Sequence, residues 1–459
     1  MNKKLTRIEV VMADVKEKIA TVIYMPESRL PSVRAAAKDY GFSPSTVVEA
    51  YERLQTEGII YSRPGAGFYV AETTAPLSLT DIAPKIDRVV DPLWVSRQSL
   101  EPPDGALKPG CGWLPADWLF EAGIRRGLRN VAKADASIIS EYATPLGLLT
   151  LRQLLTRRMA GLSINAEPSQ VILTDSGTQA IDLIFRFLLT PGDTVIVDDP
   201  CYFNFRAQLL AHRVKVVGVP YTPNGPDIDA FAAILDECKP RLYITNAAIH
   251  NPTGATLSPA TAYRVLQLAQ TADLYIIEDD IFADFEVKPA ARLAALDGLS
   301  RVFYIGSFSK TLSASLRCGY IAAPTEWVES LVDLKIATGF GGSQLAAAVV
   351  FSALTDSGYR KHMNDIHTRL ASARTHTLPR LAKLGIVPWL LPQAGMFLWC
   401  RLPKKNNATE LANRCLSQGV VLAPGNVFSQ SDNAENFMRF NVAQMSHSKI
   451  FEVLAQSLD

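Results

Sequence analysis

The residues best suited to chemistry lie in one stretch, residues 302–319, which reads VFYIGSFSKTLSASLRCG. Residues 302–305 are apolar and rich in β-formers, so they predict a short buried strand that ends just before a polar turn. Lys310 lies in that turn. One interpretation is a surface lysine. The other is a Schiff-base lysine, because an amine desolvated at a strand end has a lowered pKa and can attack an aldehyde.

Hydroxyl groups and a guanidinium flank this lysine. Ser307 and Ser309 can donate hydrogen bonds to an anion, and Arg317 can clamp the same anion with its planar fork. Pyridoxal phosphate (PLP) needs this combination, an amine for its C4′ carbon and donors for its phosphate. The SFSK sequence followed by LRCGY resembles the cofactor lysine segment of fold-type I, class I/II aminotransferases, which implies that PLP is the cofactor.

Composition describes an ordinary globular protein. The 459-residue chain has a hydrophobic content of 48% and a formal net charge of +1, so the whole chain shows no bias toward nucleic acid or membrane. At roughly 150 residues per domain, this length predicts about three domains. The six cysteines show no paired spacing, so we expect neither a disulfide framework nor a metal site. No apolar run approaches the roughly 20 residues of a membrane span, and we expect a cytoplasmic protein.

The first seventy residues predict three short helices followed by a β-hairpin. Apolar residues recur at helical spacing through residues 8–19, and Ser32 and Ser43 can each cap a following helix. Pro44 suits the first position of the third helix. Residues 59–61 and 68–70 then flank a glycine-rich turn, which is the pattern of a hairpin. The run RLPSVRAAAKDYGFSPSTVVEAYERLQTEGIIYSRPGAGFYV closely resembles the winged helix-turn-helix of GntR-type regulators.

This resemblance implies that operator DNA is a partner. Hydroxyl side chains at the amino-terminal end of the third helix can enter the major groove and bond base edges or phosphates. An arginine on the preceding helix can reach a phosphate or a guanine, and the wing can approach the backbone or the minor groove. A winged helix used for protein contacts is the alternative. The predicted DNA-binding residues are Arg34, Ser43, Ser45, Thr46, Arg63 and Gly65.

Proline-rich sequence separates the winged helix from the rest of the chain. Residues 73–104 hold five prolines and few periodic apolar positions, which predicts a linker, with a short helix around residues 89–99. We therefore expect a DNA-binding domain at residues 1–72, a linker at 73–104 and an aminotransferase-like, PLP-binding effector domain at 105–459. In the last region strands alternate with helices, which predicts an α/β fold with a mostly parallel sheet. The resemblance adds a smaller α+β domain at its carboxyl-terminal end.

The carboxyl ends of these strands are where a site is expected. A strand at residues 171–174 leads through a turn into Gly177, Thr178 and Gln179 and then a helix, so free backbone N–H groups can cradle a phosphate. Another strand ends at Asp279 and Asp280. A carboxylate there can keep the pyridine nitrogen of PLP protonated, which makes the cofactor an electron sink. Asp279 is the expected residue, with Asp280 as the alternative register.

The resemblance to the aminotransferases implies roles in ligand binding for four more residues. Tyr202 stacks on the pyridine ring, and Asn251 of the NPTG sequence bonds the O3′ atom of the cofactor. Tyr142 reaches across a dimer interface to the phosphate of the neighbouring subunit, unless it is an ordinary packed tyrosine. Arg439 binds the α-carboxylate of a substrate or effector, unless it forms a structural ion pair.

The chain departs from the aminotransferase pattern at one point. These enzymes carry a tyrosine two or three residues after the aspartate, and its hydroxyl bonds O3′. This chain has Ile281 and Phe282 instead. Since only Asn251 would remain on O3′, we expect at most weak transaminase activity.

A winged helix joined to an aminotransferase-like domain resembles the MocR subfamily of bacterial transcriptional regulators. The resemblance implies a homodimeric, PLP-binding regulator that senses a small amine, an amino acid or PLP itself. One alternative is a catalytically active aminotransferase with an accessory DNA-binding domain. Another is a regulator whose fold no longer holds the cofactor, and the presence of Lys310, Asp279, Asn251 and Arg317 argues against it.

Overall fold

A computed structural model describes residues 6–21, 23–71, 92–403, 406–429 and 431–458. The chain divides into two compact units, Met1–Asp87 and Arg88–Asp459, and each has its own hydrophobic core. Residues 1–5, 22 and 72 of the predicted DNA-binding domain lie outside the described residues, as do residues 73–91 of the predicted linker.

The first unit contains three helices and a two-stranded hairpin, as predicted. Its elements are α1 (Arg7–Ala20), α2 (Val33–Tyr40), α3 (Pro44–Thr56), β1 (Ile60–Arg63) and β2 (Gly67–Val70). The two predicted caps are confirmed, because the hydroxyls of Ser32 and Ser43 accept hydrogen bonds from backbone N–H groups three residues later, at 3.3 Å each. The buried core that joins these elements comprises Val11, Val15, Leu30, Ala36, Ala37, Val47, Ala50, Tyr51, Leu54, Ile60 and Val70.

The second unit is built on an eight-stranded sheet. Its strands are β3 (Val171–Thr174), β4 (Thr194–Asp199), β5 (Lys215–Thr222), β6 (Gly225–Pro226), β7 (Leu242–Thr245), β8 (Tyr275–Asp279), β9 (Val302–Ser307) and β10 (Gly319–Ala322). The order across the sheet is β3-β10-β9-β8-β7-β4-β5-β6. The central strands from β9 to β5 are parallel, while β10 and β6 pair antiparallel with their neighbours, so the predicted mostly parallel sheet is confirmed.

Both faces of this sheet are buried. Successive residues of β3 alternate between two hydrophobic cores, with Val171 and Leu173 in one and Ile172 in the other. The helices of this region are α4 (Pro92–Leu100), α5 (Glu121–Val131), α6 (Ser137–Ser140), α7 (Leu149–Ala160), α8 (Gly177–Leu188), α9 (Phe203–Ala211), α10 (Ile228–Cys238), α11 (Pro259–Thr271), α12 (Leu293–Asp297), α13 (Val328–Gly339) and α14 (Gln344–Leu354).

A smaller antiparallel sheet completes the second unit. Its strands are β11 (Val387–Pro388), β12 (Phe397–Arg401), β13 (Ala423–Pro424) and β14 (Phe437–Asn441), in the order β11-β12-β14-β13. The accompanying helices are α15 (Tyr359–Lys383), α16 (Ala408–Ser417) and α17 (Ser448–Leu458). This combination agrees with the smaller α+β region expected at the carboxyl-terminal end.

Part of the predicted linker is folded into the second unit. Helix α4 covers residues 92–100, and its Val95 is only 1% exposed because it packs in the large hydrophobic core. The described part of the segment that we expected to be a connector therefore contributes to that core.

No single helix in the described ranges is both long enough and apolar enough to cross a membrane. Helix α13, with the turn before it, and helix α14 are long and apolar enough only when they are counted together. The chain bends by 119° between these two helices.

A buried ion-pair network lies directly after β8. The Arg292 guanidinium donates from Nε to Asp280 Oδ2 at 2.7 Å and also pairs with Glu286. The Tyr304 hydroxyl donates to the same Asp280 oxygen at 2.6 Å. Because water cannot reach these carboxylates, Arg292 provides most of their compensating charge.

Replacing Arg292 with methionine should therefore destabilise the second unit strongly. We expect Arg292→Met to lower the free energy of unfolding by about 3–5 kcal/mol, because it leaves buried carboxylates without a partner. The control is Arg125→Met, which removes an exposed pair with Glu121 and should change stability by less than about 1 kcal/mol. Chemical denaturation followed by circular dichroism measures both variants. Equal, small losses would contradict this account of the network.

Candidate functional site

Lys310 lies three residues after the end of β9, as the sequence predicts. Its amine donates to the carbonyl oxygen of Gly112 at 2.6 Å. Burial, followed by the positive charge of Arg439, lowers the pKa of the Lys310 amine to about 8. A larger share of this amine is therefore unprotonated near neutral pH than for a solvent-exposed lysine, which favours attack on an aldehyde.

Two neighbouring carboxylates at the end of β8 have different partners. Asp280 is committed to Arg292 and Tyr304. Asp279 accepts a hydrogen bond from the Ile281 N–H at 3.3 Å, and burial raises its pKa to about 7. The positive charge of Lys310 opposes that rise, which places Asp279 on the side of the lysine. Of the two registers considered above, Asp279 is the one that faces the predicted site.

The start of α8 lies next to β9. The Ser176 hydroxyl caps the helix by accepting from the Gln179 N–H at 3.0 Å, and the Gln179 side chain bonds Asp175. The N–H and the side chain of Gln179 are therefore already hydrogen-bonded at the start of the helix. The N–H groups of Gly177 and Thr178 come before it, in the first turn, where N–H groups have no partner within the helix. A Cβ atom on Gly177 would lie 3.6 Å from Cβ of Ser307, so the glycine keeps that serine close to the helix end.

The remaining predicted anion donors differ in their placement. The hydroxyls of Ser307 and Ser309 are 3.0 Å apart and face one another. Arg317 is exposed, adopts a φ of +47°, and reaches only the Ala314 carbonyl, at 3.5 Å. Its charge contributes to lowering the pKa of Lys310, but no hydrogen bond within the described residues joins it to the two serines.

Arg439 belongs to β14 of the small sheet and is 1% exposed. Its guanidinium donates to Asn251 Oδ1 at 2.8 Å and to the Gly110 carbonyl at 2.7 Å, above the ring of Phe397 at 4.4 Å. Its Nε is buried without a hydrogen-bond partner among the described residues. Within the described part of the chain no carboxylate pairs with it, which argues against a structural ion pair and leaves it able to bind an anionic ligand.

Tyr202 lies beside this group, at the start of α9. Its ring packs against Phe203 and Phe205, with centroid distances of 4.9 and 5.3 Å. Burial raises the pKa of its hydroxyl to about 12, and the charges of Arg439 and Asp279 both act on it. The structure therefore brings Tyr202, Asn251, Asp279 and Arg439 to the same region as Lys310.

Tyr142 is in a different environment. It is 82% exposed and stacks on Phe340, which is itself 64% exposed, at a centroid distance of 5.3 Å. It is therefore not an ordinary packed tyrosine. An exposed aromatic pair of this kind suits a subunit interface.

Sequence reasoning missed two contributors to the site, the carbonyls of Gly110 and Gly112, which hold Arg439 and Lys310. The buried ring of Phe282, a position that the sequence had singled out, has its centroid 5.9 Å from the Lys310 amine. The glycines stand in the sequence KPGCGWLP, whose spacing alone does not reveal contacts with residues far along the chain. The described residues contain no cluster that could hold a metal ion.

The donor set fits PLP. It offers an amine with a lowered pKa, a buried carboxylate with a raised pKa that a protonated pyridine nitrogen would compensate, and helix N–H groups for a phosphate. The absence of a side chain at Gly177 also matters, since a Cβ there would lie 3.4 Å from Ile281 and fill the space above the helix end.

In the first unit, the predicted hydroxyls gather at the start of α3. The Ser43 hydroxyl lies 2.9 Å from that of Ser45 and 2.8 Å from that of Thr46. Ser43 and Ser45 are exposed, and Thr46 is partly so. Arg34 is exposed on the preceding helix, α2. The hydroxyls at the amino terminus of α3 and the guanidinium of Arg34 on α2 are therefore both accessible, as the predicted DNA contacts require.

The wing holds its arginine in an ion pair. Arg63 at the end of β1 donates to Glu27 at 2.6 Å, bonds the Tyr61 hydroxyl, and lies 4.5 Å from the Tyr69 ring centroid. Gly65 forms the turn with a φ of +74°. Sequence reasoning identified Arg63 but not its partner Glu27, which is far from it in the chain.

A second arginine lies along the wing. Arg29 forms a β-bridge with Tyr69, and its side chain covers Gly67, where a Cβ would lie 3.3 Å from the Arg29 Nε. Arg29 is exposed, and within the described residues no carboxylate pairs with it.

Comparison with known proteins finds two families along the chain. Residues 117–456 match the family described as aminotransferase class I and II, and residues 7–70 match the bacterial regulatory proteins of the gntR family. The uncharacterized HTH-type transcriptional regulator YdfD of Bacillus subtilis is 28% identical, over 97% of this chain and 94% of its own. The HTH-type transcriptional regulator NorG of Staphylococcus aureus is 26% identical, over 93% and 98%.

Solved structures match the second unit. LysN, the alpha-aminoadipate aminotransferase of Thermus thermophilus, complexed with N-(5′-phosphopyridoxyl)-L-leucine, aligns with a TM-score of 0.72 and 24% identity, over 83% of this chain and 98% of LysN. This likeness shows the fold, which is that of the fold-type I aminotransferases. The family match and the fold together imply PLP binding.

The pKa of Lys310 predicts how its reaction with PLP depends on pH. Only the unprotonated amine attacks the aldehyde, so we expect the rate of capture to rise with pH and to level off above about 8 rather than above the ordinary value of 10.5. Arg439→Gln should move the midpoint to higher pH because it removes a nearby positive charge, whereas Arg439→Lys should move it less. The measurement is PLP fixed to the protein by borohydride across a pH series.

Lys310→Ala is the control for this experiment. It should fix no PLP at any pH, and substantial residual fixation would show that another amine reacts. An unchanged midpoint in Arg439→Gln would contradict the coupling between the two cations.

Proposed function

The chain belongs to the aminotransferase class I and II family, and it also carries a gntR-family regulatory domain, which together form the MocR-type architecture. We propose that it is a PLP-binding, DNA-binding transcriptional regulator that acts in the cytoplasm. The joining of the two domains carries this proposal. The relatives named HTH-type transcriptional regulators match this chain over nearly their full length, so both domains are shared.

Bound PLP would supply an aldehyde for an amine and a pyridinium ring that withdraws electrons from it. Lys310 would hold the aldehyde carbon. Asp279 would hold the ring nitrogen, and this cationic partner would return the buried carboxylate to its charged form. The N–H groups of Gly177 and Thr178, with the hydroxyl of Ser307, would hold the phosphate.

The effector that we propose is a small amine, an amino acid or PLP itself. An amine would compete with Lys310 for the aldehyde carbon, and Arg439 would hold a carboxylate if one is present. The ring of Phe282 has no hydroxyl that could bond O3′. The amide oxygen of Asn251 accepts a hydrogen bond from Arg439, so only its amide N–H₂ group can donate to O3′. Turnover should therefore be slow, and keto acid released over many turnovers would favour the aminotransferase alternative.

The DNA-binding surface that we propose combines the start of α3 with the wing. The hydroxyls of Ser43, Ser45 and Thr46 would meet base edges or phosphates, and Arg34 would meet a phosphate. Arg63 is partly neutralised by Glu27, so its contribution to phosphate binding depends on that ion pair.

Variants of Arg34 on α2 and of Arg63 in the wing test this surface. Arg34→Ala and Arg63→Ala should each weaken DNA binding across all sequences and lower the slope of log affinity against log salt by about 1. Glu27→Gln should strengthen binding, because it frees Arg63. The control is Lys16→Ala, which removes a pair with Glu57, the residue that follows α3. Fluorescence anisotropy across a salt series measures all four variants. Unchanged affinity in both arginine variants would contradict DNA binding through this surface.

We also propose a homodimer, in which Tyr142 of one subunit approaches the cofactor of the other. Light scattering at micromolar concentration should give twice the 50.2 kDa chain mass. Phe340→Asn should raise the dimer dissociation constant by about 10-fold or more, because it removes an exposed aromatic anchor. Leu210→Asn, at a residue 65% exposed on α9, should leave the dimer intact. A monomer with PLP bound would contradict this arrangement.

A further inference from the structure

A groove lies between one face of α15 and the residues that follow β14, and its volume is about 510 Å³. Cavities of this size accommodate small organic molecules. The residues that line it from the helix recur every three or four positions, so they share one face of α15, and they include Arg369, Ala373, His376 and Arg380. No residue of this α15 groove is assigned above to PLP, to an effector or to DNA.

The side of the groove opposite α15 is apolar. Val442, Ala443 and Met445 line it and are buried, and the Trp118 indole contributes an aromatic surface. The Val442 N–H donates to the Met396 carbonyl at 2.8 Å, which ties this side to the residue before β12. The apolar part of a ligand would therefore meet a fixed surface that removes it from water.

The two arginines of the groove differ in their partners. Arg369 donates to Asp117 Oδ2 at 3.0 Å, and its guanidinium lies 4.1 Å from the Trp118 ring centroid. The Arg380 guanidinium lies 5.1 Å from the Phe451 ring centroid, which restrains its position. Among the described residues no carboxylate pairs with Arg380, so its positive charge is available to a ligand.

The groove therefore has a cationic end and an apolar path that leads away from it. Arg369 and Arg380 are about 16 Å apart along the helix, at a rise of about 1.5 Å per residue. His376 lies one turn before Arg380, and its Nδ1 donates to the Ser372 carbonyl at 2.7 Å, which leaves Nε2 to meet a ligand. Of the described residues that line the groove, none carries a carboxylate that would repel an anion.

A molecule with a carboxylate at one end and an apolar body matches this arrangement. A guanidinium binds a carboxylate through two parallel hydrogen bonds, and the apolar body would extend from Arg380 toward Trp118. We propose that the α15 groove is a second ligand site, which binds a medium-chain carboxylic acid. This proposal goes beyond the proposed function and does not depend on it, because it uses neither the PLP site nor the DNA-binding surface.

Isothermal titration calorimetry on the full chain with PLP added tests this site, with sodium octanoate as the probe. Octanoate has no amine, so it does not react with the aldehyde of PLP. Acetate supplies the carboxylate without the apolar body, and 1-octanol supplies the apolar body without the charge. We expect octanoate to bind more tightly than either by about 10-fold or more.

Variants of the helix face test the placement of the ligand. Arg380→Gln should raise the octanoate Kd by about 10-fold, because it removes a charged hydrogen-bond donor. Ala373→Leu should also raise it, because the larger side chain fills part of the groove. The matched control is Arg360→Gln, at an exposed arginine near the start of the same helix, which should leave the Kd unchanged. Should Ala373→Leu fail to fold, Arg380→Gln decides alone, since its side chain is exposed.

Three outcomes would overturn the proposal. The first is an octanoate Kd that is unchanged in both Arg380→Gln and Ala373→Leu. The second is a loss of octanoate binding in Arg439→Gln with full binding in Arg380→Gln, which would assign the octanoate to the PLP site. The third is a change in mass by light scattering in the two groove variants while octanoate binding stays the same. In that case a second copy of the chain covers the groove.

Discussion

Two cations buried side by side constrain the second unit, the amine of Lys310 and the guanidinium of Arg439. They donate to backbone carbonyls and to the amide oxygen of Asn251 rather than to carboxylates. Dipoles of this kind offset only part of the lost hydration, and each cation disfavours the other. Burial accordingly lowers the pKa of Arg439 to about 10 and, with its neighbour's charge, that of Lys310 to about 8. A site with two buried positive groups favours the binding of an anionic ligand, and it favours the neutral, reactive form of the Lys310 amine.

The acidic run at the end of β8 shows how the fold assigns different tasks to adjacent carboxylates. Glu278 accepts from the N–H groups at the start of α12, at 2.9 and 2.8 Å, and Asp280 pairs with Arg292. Both are therefore used in holding the structure together. Asp279 points to the other side of the strand, as alternation along a strand requires, and it keeps a raised pKa that a protonated pyridine nitrogen would relieve. The end of β8 thus supplies two carboxylates that stabilise the fold, Glu278 and Asp280, and one that can bind a ligand, Asp279.

Charge in the first unit is balanced locally, and this limits which cations are available to DNA. Ion pairs join Lys16 to Glu57, Arg53 to Glu49 and Arg63 to Glu27. Arg34 and Arg29 are exposed without a carboxylate partner among the described residues. A domain of this kind would bind phosphates through a few placed groups rather than a broad basic surface. If effector and DNA binding are coupled, each changes the affinity for the other by the same factor.

The sequence by itself determined the features that depend on neighbouring residues. Ser43 and Pro44 define the start of α3, and the strand before Lys310 is evident from a run of apolar residues, because caps and strand ends are local. The tertiary structure alone decided which groups meet. Gly112 and Lys310 are 198 positions apart, and Gly110 and Arg439 are 329 apart, so no spacing rule links them. The pairing of Asp280 with Arg292, the exposure of Arg317 and the pairing of Arg63 with Glu27 likewise depend on the tertiary structure. Those contacts form only when the sheets pack, and they determine the charge and the space that a ligand would find.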